Sequence, residues 1–425
     1  MNARIFLAGL LVAVAIADPR LAAAQDSQLV LRDAIARVLE NNPNFRVYRL
    51  RRQALEGELQ TAKLDPAWQL NAEVENFWGS GDLNGFNGSE WTLTLGRVVE
   101  RGDKREARTG VVRHRQALID AEQQVFELDL LSEAAARLIA VASEQARLEI
   151  LQRSVELGIS VLDEVNNRIA AGRSHVAERS RASAALAEAE LAVESAEFAM
   201  ESARFNLASL WGSTEPTFSN VSVNFLQVES VGSVQDLIDA LEQSPVIAIF
   251  TSEARLREAE LSLARAQQLA DFSIGGGIRH AAEINDTAFV AEFSLPLQSR
   301  QRARGAMTTA QANLLRIDSE EAAALQKLRG RLLALDQQRQ GAVNRFQSLQ
   351  SNIIPQLQQA YEQTRQAYNS GLYDYLELGA AQRELLEAEL ELVAAATQAH
   401  QLRIEIERLS GQNYQPVSRA TGGNQ

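Results

Sequence analysis

The sequence predicts a mainly α-helical fold with a small β part: long antiparallel coiled-coil hairpins, present twice, plus four strands. Three observations predict it. The apolar positions Ala182, Leu186, Ala189, Val193, Ala196, Met200, Ala203, Leu207 and Leu210 are spaced in alternating steps of four and three. That is a period of about 3.5, the seam of a left-handed coiled coil rather than the wider stripe of an ordinary surface helix. Adding 199 (371 − 172, the step from Gly172 to Gly371) to each number gives Ala381, Leu385, Ala388, Leu392, Ala395, Ala399, Leu402, Ile406 and Leu409, again small or apolar throughout. Gly212 maps onto Gly411, so the helix ends repeat as well, and the chain holds one long structural unit twice. Finally, each unit places two runs of alternating polarity ahead of its hairpin.

Composition agrees with long helices and narrows the function. The chain has 425 residues, 46 % hydrophobic but only 6 % aromatic, with 8 prolines. A net charge of −13 argues against nucleic acid, since nothing would neutralise phosphates. The absence of cysteine excludes disulfides, thiolate chemistry and cysteine metal sites.

The elements follow in order. Residues 1–24 read as a signal peptide: Arg4, the apolar run Ile5 to Ala17, then Ala22-Ala23-Ala24 as a cleavage site before Gln25. That run is shorter than the roughly 20 residues a spanning helix needs, and no later segment is apolar enough, so any membrane span must be a β-barrel. The first repeat is assigned to 25–213. It opens with a helix from Leu29 to about Leu64, interrupted at Asn41-Asn42-Pro43. In Trp68–Phe77, Trp68, Leu70, Ala72 and Val74 alternate with polar residues, and in Glu90–Val98 so do Trp91, Leu93 and Leu95. A glycine-rich loop, Gly79 to Gly88, separates the two runs. A helix of roughly 70 residues, Arg101 to Ala170, is on the order of 100 Å long. It turns at Gly172 into the ascending seam.

Residues 214–233 read as an irregular linker halfway along the rod, and 234–411 as the second repeat. There Gln243-Ser244-Pro245 interrupts the first helix, and Phe272–Ile278 and Phe289–Leu295 are the strands. In the long helix Arg302 to Asn369, Arg339 breaks the seam once and Pro355 is expected to bend the helix or shift its register. Residues 412–425 form a polar tail, expected to be disordered.

Strand runs of this length, apolar on one face and carrying Glu, Thr, Ser and Asn on the other, fit a barrel with lipid outside and water inside; two soluble hairpins covering helices are the alternative. Four strands cannot close a barrel, since membrane barrels start at about eight. The chain must therefore share one with copies of itself, above a hollow helical cylinder.

The whole mature chain resembles the TolC family of outer-membrane efflux proteins, and more narrowly its CzcC/CusC-like heavy-metal branch. The residues that carry this are Leu31-Arg32-Asp33-Ala34-Ile35 through Glu40-Asn41-Asn42-Pro43, then Arg101-Gly102-Asp103-Lys104-Arg105-Glu106-Ala107-Arg108, then Ser294-Leu295-Pro296-Leu297 with Arg302 and Gly305. Asp103 and Gln298 to Gln301 depart from the branch's pattern. The resemblance implies a TolC-like homotrimer with a barrel of about 12 strands, four from each chain. It implies a place in the outer membrane of a Gram-negative bacterium, reaching into the periplasm. It implies docking to a periplasmic adaptor (membrane fusion) protein and an inner-membrane RND-type pump. The expected cargo is divalent heavy-metal cations. Multidrug efflux or type I protein secretion is the alternative, and a structural coiled-coil surface protein a more distant one.

The resemblance also assigns roles. Glu377 and Glu178, each six residues after a tip glycine, correspond to the family's ring-forming acid at the pore gate; their other reading is solvated helix carboxylates. Tyr368 corresponds to a tyrosine that ties neighbouring coils together, while Tyr373 stands where some relatives carry an arginine. Gly172, Arg173, Gly371 and Leu372 form the tips for adaptor and pump docking. Trp68, Trp78 and Trp91 fit membrane interfaces. Arg101, Lys104, Arg105 and Arg108 would lie at the inner rim, either binding anionic headgroups or pairing with Asp103 and Glu106.

No catalytic set or cofactor site is found. His114, His175, His280 and His400 are scattered without ligand spacing, and only His175 lies at a tip. Gly275-Gly276-Gly277 sits in an alternating strand, where glycine permits tight bending. A passive conduit is expected, with no metal held and no enzymatic activity.

Overall fold

The computed structural model describes residues 28–228 and 232–411. The signal-peptide and tail assignments lie outside them. Each repeat runs helix–helix–strand–strand–long hairpin. The first is α1 (Leu31–Asn41), α2 (Asn44–Ala62), β1 (Gln69–Glu75), β2 (Glu90–Val99), α3 (Lys104–Ala170) and α4 (Val176–Ser209). The second is α5 (Val234–Glu242), α6 (Pro245–Ala266), β3 (Phe272–Ala281), β4 (Asp286–Ser294), α7 (Ser299–Ser348), α8 (Ile354–Ser370) and α9 (Tyr375–Ser410). Among the described residues no helix is long and apolar enough to cross a membrane.

The prolines explain both helix breaks near the repeat starts. Asn42 precedes Pro43, and its side chain donates to the Leu210 carbonyl at 2.9 Å and accepts from the Asn44 amide at 3.0 Å. The junction is thereby pinned to the end of α4. Pro245 occupies the first turn of α6, where its missing N–H costs nothing, and it abuts Gly411 at the end of α9. In both halves the start of the second helix thus meets the end of the ascending helix, by a hydrogen bond in the first and by packing in the second.

The predicted seams are real. Every predicted position on α4 and α9 is buried or half-buried. The large core lies at mid-rod, where Phe218, Val221 and Phe225 of the linker pack with Leu138 and Leu207. A second apolar cluster lies at the tips, uniting Val161, Val165 and Ala182 of the first hairpin with Tyr361, Tyr368, Tyr375 and Leu378 of the second.

The second descending helix carries the register shift expected at Pro355: Leu349–Ile353 is a π-helical turn, directly ahead of that residue. Proline's ring clashes with the carbonyl four residues back, here Ser351, and the wider turn relieves that clash while shifting the helix register. Arg339, the polar residue that breaks the apolar seam, stays within it. It is buried beside Asp336, at 3.2 Å, and Gln340 donates to the same carboxylate at 2.6 Å.

Candidate functional site

Two regions could form a path for cargo: the sheet at one end of the rods and the hairpin tips at the other. The sheet is antiparallel with order β1-β2-β3-β4, so the repeats join where β2 pairs with β3. Directly paired residues share a face, which sorts the side chains. Leu70, Leu95, Gly276 and Ala291 form one rung, and Ala72, Leu93, Ile278 and Phe289 the next on the same face. This apolar face is exposed: Leu70 is 67 %, Phe289 94 % and Phe293 68 % accessible, while Thr92 and Thr94 on the polar face are 6 % and 3 %. The sheet is inside-out for water and right for lipid. Among the described residues the sheet packs closely on no helix, which counts against the soluble-hairpin alternative.

Glycines identify the concave side. A Cβ on Gly277 would lie 2.0 Å from the Leu93 carbonyl oxygen, and one on Gly96 2.9 Å from that of Ile274. Both belong to the polar face, whereas a Cβ on Gly276, on the apolar face, would meet nothing nearer than 3.8 Å. The strands therefore crowd toward the polar side, as a lumenal surface requires.

The tryptophans stand at the two ends of the apolar face. Arg97 stacks over Trp68 at 5.5 Å near the helices. Trp91, whose indole donates to Ser89 at 3.0 Å, lies near the loop that carries Phe77, Trp78 and Phe86. From Arg97 to Trp91 is six residues, about 20 Å of strand.

The basic rim differs from the expected one in its partners. Lys104 is buried, donating to Asp271 at 2.7 Å and to the Leu269 carbonyl at 2.8 Å. It is a structural tie between repeats, not a headgroup ligand. Arg108 forks onto Glu100, and Arg105 meets Asp65 at 3.1 Å. Asp103 and Glu106 serve in none of these pairs. Arg101 stays exposed, its backbone N–H bound to Asp271 at 2.9 Å.

At the tips the same turn occurs twice. Gly172 and Gly371 adopt φ of 71° and 84°, the left-handed region that suits glycine. Gly172 N–H bonds Ile169 and Arg173 N–H bonds Arg168; Gly371 bonds Tyr368 and Leu372 bonds Ala367. This is a Schellman motif in each hairpin. It sets His175 and Asp374 as the residues preceding α4 and α9, so Glu178 and Glu377 both fall at the third helical position. An acid there caps free N–H groups and meets the positive end of the helix dipole. Asp374 and Glu377 complete a capping box, with Leu376 N–H donating to Asp374 at 2.6 Å.

The two glutamates then diverge. Glu377 is exposed. Glu178 is half-buried and accepts from Ser174 and from the Tyr368 hydroxyl at 3.2 Å, a bond between the two hairpins. Arg168 lies 4.1 Å from the Tyr368 ring centre. Nearby, Arg365 of α8 bonds Glu164 of α3 at 2.7 Å. Burial, reinforced for Tyr368 by Glu178, pushes the phenols of Tyr361 and Tyr368 up to about 12. Arg173, His175, Leu372 and Tyr373 border an open cleft of about 510 Å³ between the tips, which both glutamates also line.

Sequence reasoning missed Arg168, Ser174 and Asp374, and missed that Tyr361, Tyr368 and Tyr375 act together. The spacing of seven between those tyrosines was the available signal. The histidines do not converge: His400 is buried with Nε2 donating to the Phe225 carbonyl at 2.8 Å, and His280 lies on the apolar face of the sheet. Among the described residues no group of three or more potential ligands could hold a metal ion.

A duplicated long hairpin ending in a lipid-compatible four-stranded sheet defines a TolC-like fold. Within that class, residues 237–412 match the family described as Outer membrane efflux protein. That match covers most of the second repeat. It is 24 % identical over 383 residues to the cobalt-zinc-cadmium resistance protein CzcC of Cupriavidus metallidurans, covering 90 % of each chain. Among solved structures, a membrane protein from Pseudomonas aeruginosa matches with a TM-score of 0.73 and 16 % identity, covering 89 % of this chain and 90 % of that one. CusC matches with a TM-score of 0.71 and 19 % identity, covering 89 % and 91 %.

Proposed function

We propose that three copies of this chain form an outer-membrane conduit that exports divalent heavy-metal cations from a periplasmic adaptor and an inner-membrane pump. The observation that carries the channel reading is the sheet. Its apolar face is bare, its polar face is concave, and the outer edges of β1 and β4 have no partner strand among the described residues. Copies that pair β4 with β1 would satisfy those edges and close the barrel. On α4, Leu191, Phe198 and Phe205 recur every seven residues and are exposed, a second unfilled seam for a neighbouring copy. The cargo reading is supported by the likeness to CzcC over 90 % of the chain.

In this reading the tips are the gate. The Tyr368–Glu178 bond holds the second hairpin against the first, and three exposed Glu377 carboxylates gather at the mouth of the closed tunnel. A ring of like acids attracts cations and repels anions. The tips open when the adaptor and pump bind the separated hairpins better than the joined ones. Deletion of the gene tests the cargo. The expected result is sensitivity to cobalt, zinc, cadmium or copper with unchanged tolerance of detergents and antibiotics. Sensitivity confined to the organic compounds would reject metals in favour of drug efflux.

A further inference from the structure

The polar face of the sheet has an uneven charge plan that the tips do not explain. Its rungs, read from the loop end toward the helices, are Glu75-Glu90-Ala281-Asp286, Glu73-Thr92-Arg279-Ala288, Asn71-Thr94-Gly277-Val290 and Gln69-Gly96-Gly275-Glu292. Four of the five carboxylates lie in the two outer rungs, and Arg279 is the one basic side chain among the four rungs. Its position is fixed by three partners. Nε donates to the Thr92 hydroxyl at 3.0 Å, one terminal nitrogen to Glu90 at 3.1 Å, and the other lies 3.6 Å from Glu75. The rungs nearer the helices carry three glycines, a threonine and two amides beside Val290 and the single acid Glu292, so the wall there is lower. Bulk and charge rise together at the outer mouth.

We infer that Arg279 sets the ionic selectivity of the channel's exit by neutralising and pinning Glu75 and Glu90, so that outgoing cations are attracted but not captured. The inference rests on the conduit reading above and not on the identity of the cargo. A pore conducts only if its ions leave as readily as they enter. Two adjacent free carboxylates would offer a divalent cation several hard oxygen ligands at once. With the arginine fork in place one oxygen of each acid faces the guanidinium, and the outer two rungs carry −3 per chain (four carboxylates against one arginine). Without it they carry −4, with the Glu75–Glu90 pair open. Lysine would restore the charge but not the fork that spans Thr92 and both acids.

Single-channel recording of the purified oligomer in a planar bilayer tests this, with zinc chloride added on the loop side. Arg279→Gln should be blocked at a zinc concentration at least ten-fold lower than the wild type, and its reversal potential in a salt gradient should move toward cation selectivity. Adding Glu75→Gln and Glu90→Gln to that variant should abolish the block. If Arg279→Gln fails to assemble, Glu90→Gln alone reads the same electrostatics with the arginine kept, and should shift the reversal potential toward anions. Zinc block and reversal potential identical to the wild type in an assembled variant would overturn the inference. A wild-type protein that forms no pore would instead overturn the conduit reading itself.

Discussion

The two repeats share a plan but differ in stiffness. The first descending helix, α3, runs 67 residues without interruption. Its counterpart is divided by a five-residue π turn into α7 and α8. Below that turn the second hairpin presents Tyr361, Tyr368 and Tyr375 to the first, which answers with Val161, Val165, Ala182 and the Glu178 carboxylate. The comparison teaches a division of labour: the first hairpin is a strut, and the second is a jointed arm held against it. The joint is built from a backbone irregularity and the hold from three aromatic side chains.

The strongest way to break this asymmetry is to overrun the joint. Inserting one alanine after Asn352 adds a residue that the π turn does not absorb and rotates α8 by about 100° relative to α7. Tyr361 and Tyr368 would leave the tip cluster, a loss of about 3–5 kcal/mol for each large aromatic displaced. The expected outcome is a leaky or unassembled channel, measured as sensitivity to large antibiotics that the closed form excludes.

A smaller effect separates the repeats at the sheet. Lys104→Met leaves Asp271 without its main partner and should cost about 2–3 kcal/mol, less than a fully buried pair because Asp271 retains some solvent. The corresponding first residue of α7 is Ser299, and Ser299→Ala should change stability by no more than about 0.5 kcal/mol. Thermal unfolding of both variants reads the difference.

Tyr368→Phe keeps the packing and removes only the bond to Glu178, worth about 1 kcal/mol. Channel openings should become more frequent while the unfolding temperature moves little. Smaller still in ordinary conditions is the effect of alkali. The folded phenols of Tyr361 and Tyr368 lie above the usual value of 10.0, so their contribution is intact below pH 10 and lost as pH rises toward about 12. Tyrosinate absorbance from these two should develop only at the upper end of that range, together with exposure of the tips to protease.

The seams, both glycine tips, the four strands and the exposed faces could be read from the sequence because each depends on local periodicity or on one residue with special backbone freedom. The ion partners could not. Lys104 meets Asp271 across 167 residues, and Glu178 meets Tyr368 across 190. Such pairs are fixed by how the repeats stack, which no local pattern records. The proposed gate residues, Glu178 and Glu377, were located through their distance from a glycine, but that spacing has a plain helix-start explanation as well. Only the stacked hairpins distinguish the engaged Glu178 from the free Glu377. Pro355 signalled a disturbance, yet its form as a π turn depends on the need to bring particular tyrosines round to the first hairpin.

The pairing of β2 with β3 has a consequence for biogenesis. Val99 lies opposite Phe272, 173 residues later in the chain (272 − 99). The central pair of the sheet therefore cannot form until the whole first repeat and the start of the second, as far as β3, are available, and contacts so distant in sequence are slow to close. During that interval β1 and β2 are a lone hairpin with a greasy face and two open edges, the species most in need of a periplasmic chaperone.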